Sequence, residues 1–226
     1  GRIGIPRSAL AAAKSGLAIT VRYSDQRRQF GPEGGSEIPI LNYRMHQRRL
    51  FPHLAKTYAL HFALRYLTKR FIDKKPDKMQ EIEALAAGLK AYTTWHTTAT
   101  LQECREACGG KGYLSVNRID ALKNDTDVYT TFEGDNTVLM QLVAKNRLSV
   151  FRKQISEMDP MGKVSYVWNQ TEIILSEKNP FVTRDTNETH LLDKEFHLNA
   201  FYYREQEIAT SAAKRITKLI DSGLDA

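Results

Sequence analysis

The sequence predicts an all-α fold: long helices suited to a bundle over residues 1–158, and further helix beyond a composition shift at Asp159-Pro160. Three observations carry this. Apolar side chains recur at three- and four-residue steps through long stretches, the period of a helix with one buried stripe. Glycine and proline cluster at a few points only, leaving segments long enough for a bundle. A single run, Val128-Tyr129-Thr130-Thr131-Phe132, has the β-branched and aromatic character of a strand.

The first helix is expected from Pro6 to Arg28, a stretch rich in Ala, Leu and Lys, with Pro6 suited to a first turn where its missing N–H has no partner to lose. Gly31-Pro32-Glu33-Gly34-Gly35-Ser36 ends it as a loop. A second helix runs from Leu41 to Ile72, and Pro52 within it predicts a kink or break at Phe51. Lys74-Lys75-Pro76-Asp77 connects it to a third helix over 77–108, with Asp77 as N-cap. Ile82, Leu85, Leu89, Tyr92, His96 and Ala99 form the apolar stripe of that helix, and Gly109-Gly110 close it. Residues 109–135 read as irregular, and another helix as running from Asn136 to Met158. Composition shifts at Asp159-Pro160; beyond it, 179–185 reads as a loop and 187–220 as a last long helix.

A net charge of +7 raises the question of nucleic acid. Basic residues are matched by acidic ones in most segments, and the densest run, Tyr43-Arg44-Met45-His46-Gln47-Arg48-Arg49, lies in a helical pattern without the aromatic interleaving of a single-strand platform. A solvated helix face, or attraction for a phosphate-rich small ligand, accounts for it better. No apolar run approaches the ~18–20 residues of a membrane span, and the opening GRIGIPRSAL does not read as a signal peptide. Two cysteines, Cys104 and Cys108, make no disulfide framework and suggest a reducing compartment.

The six histidines show no metal-ligand spacing, and no nucleophile elbow, phosphate loop or dinucleotide fingerprint occurs. Glu133 is the unusual residue. It follows the apolar run ending at Phe132 and precedes Gly134-Asp135-Asn136 at a loop-to-helix junction. A carboxylate beside Phe132 is expected to be partly desolvated, which raises its pKa and strengthens it as a base.

Three separated segments resemble one superfamily. Gly1-Arg2-Ile3-Gly4-Ile5, with Tyr23 and Arg27-Arg28-Gln29-Phe30-Gly31, is similar to the opening helix of the C-terminal domain of acyl-CoA dehydrogenases and oxidases. Cys108-Gly109-Gly110-Lys111-Gly112-Tyr113 resembles their GGxGY turn, and Thr131-Phe132-Glu133-Gly134-Asp135-Asn136-Thr137 their catalytic loop. The Pro32–Glu37 loop, Glu-Gly-Asp-Asn in place of Glu-Gly-Thr, and a chain continuing beyond Arg147 resemble the oxidase branch, and the stretch from Asn179 to Glu205 resembles the start of the oxidases' second helical domain. Together these likenesses imply an up-and-down helical bundle over 1–158 and a truncated part of that second domain over 159–226.

The resemblance implies a flavin enzyme in which Glu133 removes the α-proton of a fatty acyl-CoA, the β-hydrogen leaves as hydride to FAD, and O2 then takes the electrons to give hydrogen peroxide and a 2-enoyl-CoA. No metal is required. It further implies Arg27, Phe30, Arg44, Gly109, Gly110, Asp135 and Asn136 as FAD contacts, some across the interface of a homodimer, and Arg2 and Gly134 as substrate contacts. Asp135 departs from the dehydrogenase Thr, and Arg44 from a common Gln. The N-terminal helical domain and β-domain of the family have no counterpart here, so the chain is expected to be a fragment, inactive by itself. Two other readings follow: a non-catalytic helical dimerisation module, and a dehydrogenase passing electrons to an electron-transfer flavoprotein. The expected location is the cytoplasm of a bacterium, or the peroxisome if the source is eukaryotic.

Overall fold

A computed structural model describes residues 1–157 and 187–222. The chain divides into two compact units, Gly1–Ala144 and Lys145–Ala226. That division falls inside a helix, whereas the composition shift at Asp159-Pro160 and the loop expected at 179–185 lie outside the described residues.

The first unit is built on three long helices: α1 (Gly4–Gln26), α2 (Arg44–Ile72) and α3 (Met79–Ala107). A shorter α4 (Ile119–Asp127) and the start of α5 (Asn136–Glu157) complete it. Two apolar clusters record how the long helices run. One joins Leu10 of α1 to Leu60, Leu64 and Leu67 late in α2 and Ile82 early in α3. The other joins Leu17 and Tyr23 late in α1 to Leu54 early in α2 and Cys104 late in α3. The order reverses in α2, so it runs antiparallel to both neighbours, as an up-and-down bundle requires.

α3 is the central element, packed by α1, α2 and α4 and, through Ala87 and Ala91 against Leu139 and Val143, by α5. Its buried face therefore differs from the stripe expected of it. Tyr92 and Ala99 are exposed, and the buried positions include Ala86, Ala87, Ala91, Thr93, Thr94, Thr97 and Thr100. Small side chains suit a helix approached from several sides. Gly16 of α1 shows the closeness: a Cβ there would lie 2.6 Å from Leu101 Cδ2.

Other departures have local causes. α2 continues through Pro52 without a break, losing one backbone donor rather than the helix. Asp77 sits in a 3-10 turn, Pro76–Lys78, and Lys78 takes the N-cap position without a side-chain bond. The strand-like run is a 3-10 turn, Val128–Thr130, followed by further turns. Turn bonds stand in place of a strand ladder: the Phe132 N–H donates to Val128 O at 2.8 Å and the Thr130 hydroxyl to Asp127 O at 3.0 Å. Among the described residues the one β-bridge pairs Arg28 with Pro39 across the Gly31–Ser36 loop. Gly109 has φ 55°, the left-handed helix ending expected of it.

In the second unit the last helix is two: α6 (Glu188–Leu191) and α7 (Lys194–Asp221). Asp193 Oδ2 accepts from the Phe196 N–H at 2.9 Å and so caps α7. Among the described residues no helix is long and apolar enough to cross a membrane.

Candidate functional site

The residues singled out in the sequence, Arg44 excepted, gather in two places. At the first, Glu133 occupies a tight turn between Val128–Thr130 and α5, with φ 58°, followed by Gly134 at φ 112°. A left-handed glutamate is uncommon and persists only where its surroundings hold it. Asp135 Oδ1 accepts from the Thr137 N–H at 2.8 Å, which caps α5 and fixes one side of the turn.

The other side is fixed from α3 by a residue that sequence reasoning missed. Lys90 is 0% exposed. Its Nζ donates to Gly134 O at 2.7 Å, to Asn136 Oδ1 at 2.9 Å and to Thr130 O at 3.4 Å. Burial lowers its pKa and Arg2 adds to that, while the carboxylates of Asp135 and Glu133 act the other way. One signal was available: Ala86, Ala87, Ala91 and Thr94 stand three or four residues or one residue away, so Lys90 shares the small-residue face rather than an outer one.

Asn136, expected as a flavin contact, turns its side chain into the core. It is 2% exposed, its Oδ1 accepts from Lys90, and its Nδ2 donates to Ala91 O at 3.2 Å and Thr94 Oγ1 at 2.8 Å. Every polar atom of that side chain is engaged inside the fold. Glu133 departs in its surroundings: it is exposed, and Phe132 is 54% exposed, so the turn directs both outward and this chain does not supply the desolvation expected from Phe132. Gly1 abuts the Glu133 carboxylate, and Arg2 is exposed nearby, within electrostatic reach of Lys90. The Glu133 backbone N–H has no acceptor among the described residues.

The second place is an open cleft of about 1270 Å³ between the end of α1, the start of α2 and the end of α3. Arg27, Phe30, Gly109 and Gly110 all line it, as do Arg48, Arg49 and Lys111. Arg44 does not; the first turn of α2 leaves it to one side, and Arg48 and Arg49 hold the position facing the cleft. Arg49 is engaged by Glu103 at 2.8 Å and Glu106 at 3.3 Å. Arg27, Arg48 and Lys111 have no carboxylate partner among the described residues, so the cleft presents unneutralised cations. Phe30 is 69% exposed at φ 59°, offering a ring face. No atom lies within 4 Å of where a Cβ would stand on Gly109 or Gly110, leaving bare backbone open to a ligand. His46 and His53 also line the cleft, and burial lowers the pKa of both. Such a cleft suits an anionic ligand with an aromatic part.

The family described as "Acyl-CoA oxidase, C-alpha1 domain" matches residues 1–158. Acyl-coenzyme A oxidase 2, peroxisomal, of Arabidopsis thaliana is 40% identical over 222 residues, covering 96% of this chain and 32% of that protein. The crystal structure of an acyl-CoA oxidase from tomato superposes with TM-score 0.77 at 32% identity, over 96% of this chain and 34% of that one. A Caenorhabditis elegans acyl-CoA oxidase-1, solved in complex with FAD and ATP, gives TM-score 0.64 at 27% identity over 70% of this chain and 26% of that one. The chain thus spans about a third of the length of these relatives. The plant relative is named peroxisomal, and the bacterial, cytoplasmic expectation gains no support from these likenesses.

Proposed function

The chain belongs to the acyl-CoA oxidase family, and from that premise we propose that it is the helical part of an FAD-dependent enzyme that oxidises fatty acyl-CoA with O2 to trans-2-enoyl-CoA and hydrogen peroxide. Glu133 is the base. The observation that carries this is its placement: an exposed carboxylate at a left-handed turn whose flanking residues are anchored to α3 and α5. A carboxylate fixed in position and open to a substrate can take an α-proton, and the free N–H of the same residue can hold the thioester carbonyl as negative charge develops on it. Gly134, adjoining the base, and Arg2, exposed nearby, would contact the substrate.

Bound FAD supplies the acceptor for the β-hydrogen and the path of its electrons to oxygen. The donor set of the cleft fits such a group: Arg27, with Arg48 and Lys111, for a pyrophosphate, Phe30 for the adenine, and the bare backbone of Gly109 and Gly110 for close approach. Asp135, next to the base and exposed, would be one of the residues to contact the flavin. The cleft and Glu133 are built by different ends of the bundle, an arrangement compatible with a homodimer in which one subunit's cleft would serve the flavin of its partner. Tyr58, Phe62 and Tyr66, exposed along α2, give that dimer apolar surface to bury. Residues 159–226 are assigned to the start of the oxidase's second helical domain, and the relatives named peroxisomal support a peroxisomal location if the source is eukaryotic.

The deciding experiment is anaerobic reduction of the flavin of the full-length parent by a saturated fatty acyl-CoA, followed by peroxide release on admitting air. Failure of either step refutes the oxidase reading.

A further inference from the structure

We infer that Lys90 is the positioning residue of the Glu133 turn, holding the base in place without touching substrate or base. This rests on the reading of Glu133 above and extends it to a residue in the middle of a neighbouring helix. A buried ammonium is among the costliest groups to remove from water, and proteins tolerate it only with its donors satisfied. Lys90 satisfies its three donors on neutral oxygens alone, those of Thr130, Gly134 and Asn136, which bracket Glu133 on both sides. Asn136 returns the network to α3 through Ala91 and Thr94. The segment 130–136 is thus bound to one rigid helix at three points, with its single left-handed glutamate between them.

Two consequences distinguish this from ordinary core packing. The three bonds leave both Glu133 oxygens unclaimed by Lys90, so the cation fixes the backbone of the base without competing for the incoming proton. The bond to Gly134 O also holds the residue immediately after the base, whose φ of 112° only glycine adopts readily. Freed of Lys90, the turn can relax toward right-handed geometry and carry the carboxylate away from the α-carbon.

The test uses the full-length parent loaded with FAD. Lys90→Met keeps an unbranched side chain of nearly the same length and removes the donors. The expected result is a fall of at least tenfold in the rate of flavin reduction by acyl-CoA, with flavin content and KM little changed. Amide hydrogen exchange at 131–135 should quicken at least tenfold while the protected amides of α1 and α3 keep their rates. Parental exchange across 131–135 overturns the inference, and so does a uniform rise throughout the bundle, which marks a residue serving only stability. Should Lys90→Met fail to fold, Asn136→Ala removes one of the three acceptors and is read by the same exchange measurement, with the same two outcomes. The role of Glu133 is judged separately by Glu133→Gln: normal flavin reduction in that variant refutes the base, while the exchange data still decide the role of Lys90.

Discussion

The rings of His53 and His96 stack 23° from parallel with their centroids 5.7 Å apart, one from α2 and one from α3, and the Thr100 hydroxyl lies within hydrogen-bond distance of both. His96 is further bonded to Thr57 at 2.9 Å. Burial, with His53 and Lys56 close by, brings the pKa of His96 down to about 4. The pair is an uncharged polar seam between two long helices.

Stability should therefore fall as pH drops from about 6.5 to about 4. Over that window the unfolded chain takes up a proton at His96 that the folded chain refuses, so the slope favours the unfolded state as pH falls. A difference of this size is worth about 3 kcal/mol at most, and His53 adds in the same direction. Urea unfolding at pH 7 and pH 4.5 measures it, and His96→Gln should flatten the dependence. A variant with the parental pH slope contradicts the assignment.

Glu133→Gln in the full-length enzyme should reduce acyl-CoA oxidation by about two decades or more while leaving FAD bound, because the amide has nearly the same shape but does not accept the α-proton. Stopped-flow reduction of the flavin is the measurement. Its absence of effect would remove Glu133 from the chemistry.

Arg27→Ala should weaken retention of FAD on dialysis while changing thermal unfolding of the apoprotein little. The side chain is exposed beyond the end of α1, where a charge contributes little to folding, whereas a charge-assisted bond to a pyrophosphate is strong. Equal flavin occupancy in variant and parent argues against the role.

Gly112 and Gly110 should respond oppositely to alanine. At Gly112 a Cβ would collide with the Arg105 carbonyl, lying 2.9 Å from its carbon, so Gly112→Ala should cost roughly 1–3 kcal/mol of stability. At Gly110 the space is open, so Gly110→Ala should fold normally and lose flavin instead. Thermal unfolding and flavin content of the two variants separate the effects.

What the sequence made legible was whatever depends on period and punctuation. The three long helices and α5 follow from apolar spacing broken by Gly31–Ser36, Pro76 and Gly109, and their bounds lie within a few residues of those expected. α4 was not legible, because its nine residues carry too few apolar positions to show a period and it starts from a left-handed Arg118. Val128–Phe132 has strand composition but no neighbouring strand to pair with, and tertiary context decided against it. At the site, Glu133, Arg27, Gly109 and Gly110 stood out by motif. Lys90 did not, since a lysine in a helix is ordinarily a surface residue and only the packing around α3 shows that this one faces inward. Asn136 shows the complementary case: its place beside the base suggested contact with a ligand, and only the packing shows that its side chain turns into the core.

α3 carries both Lys90, which anchors the Glu133 turn, and, just past its C-terminus, the glycines that line the cleft. Roughly 25 Å of continuous helix separates Lys90 from Ala107. Along such a rod, adding or removing one residue rotates everything beyond it by about 100°. The spacing between these two positions is therefore quantised: side chains between them can be exchanged, but a one-residue insertion or deletion would swing either the anchor or the glycine turn out of register, leaving a helix that still forms and two half-sites that no longer face their ligands together.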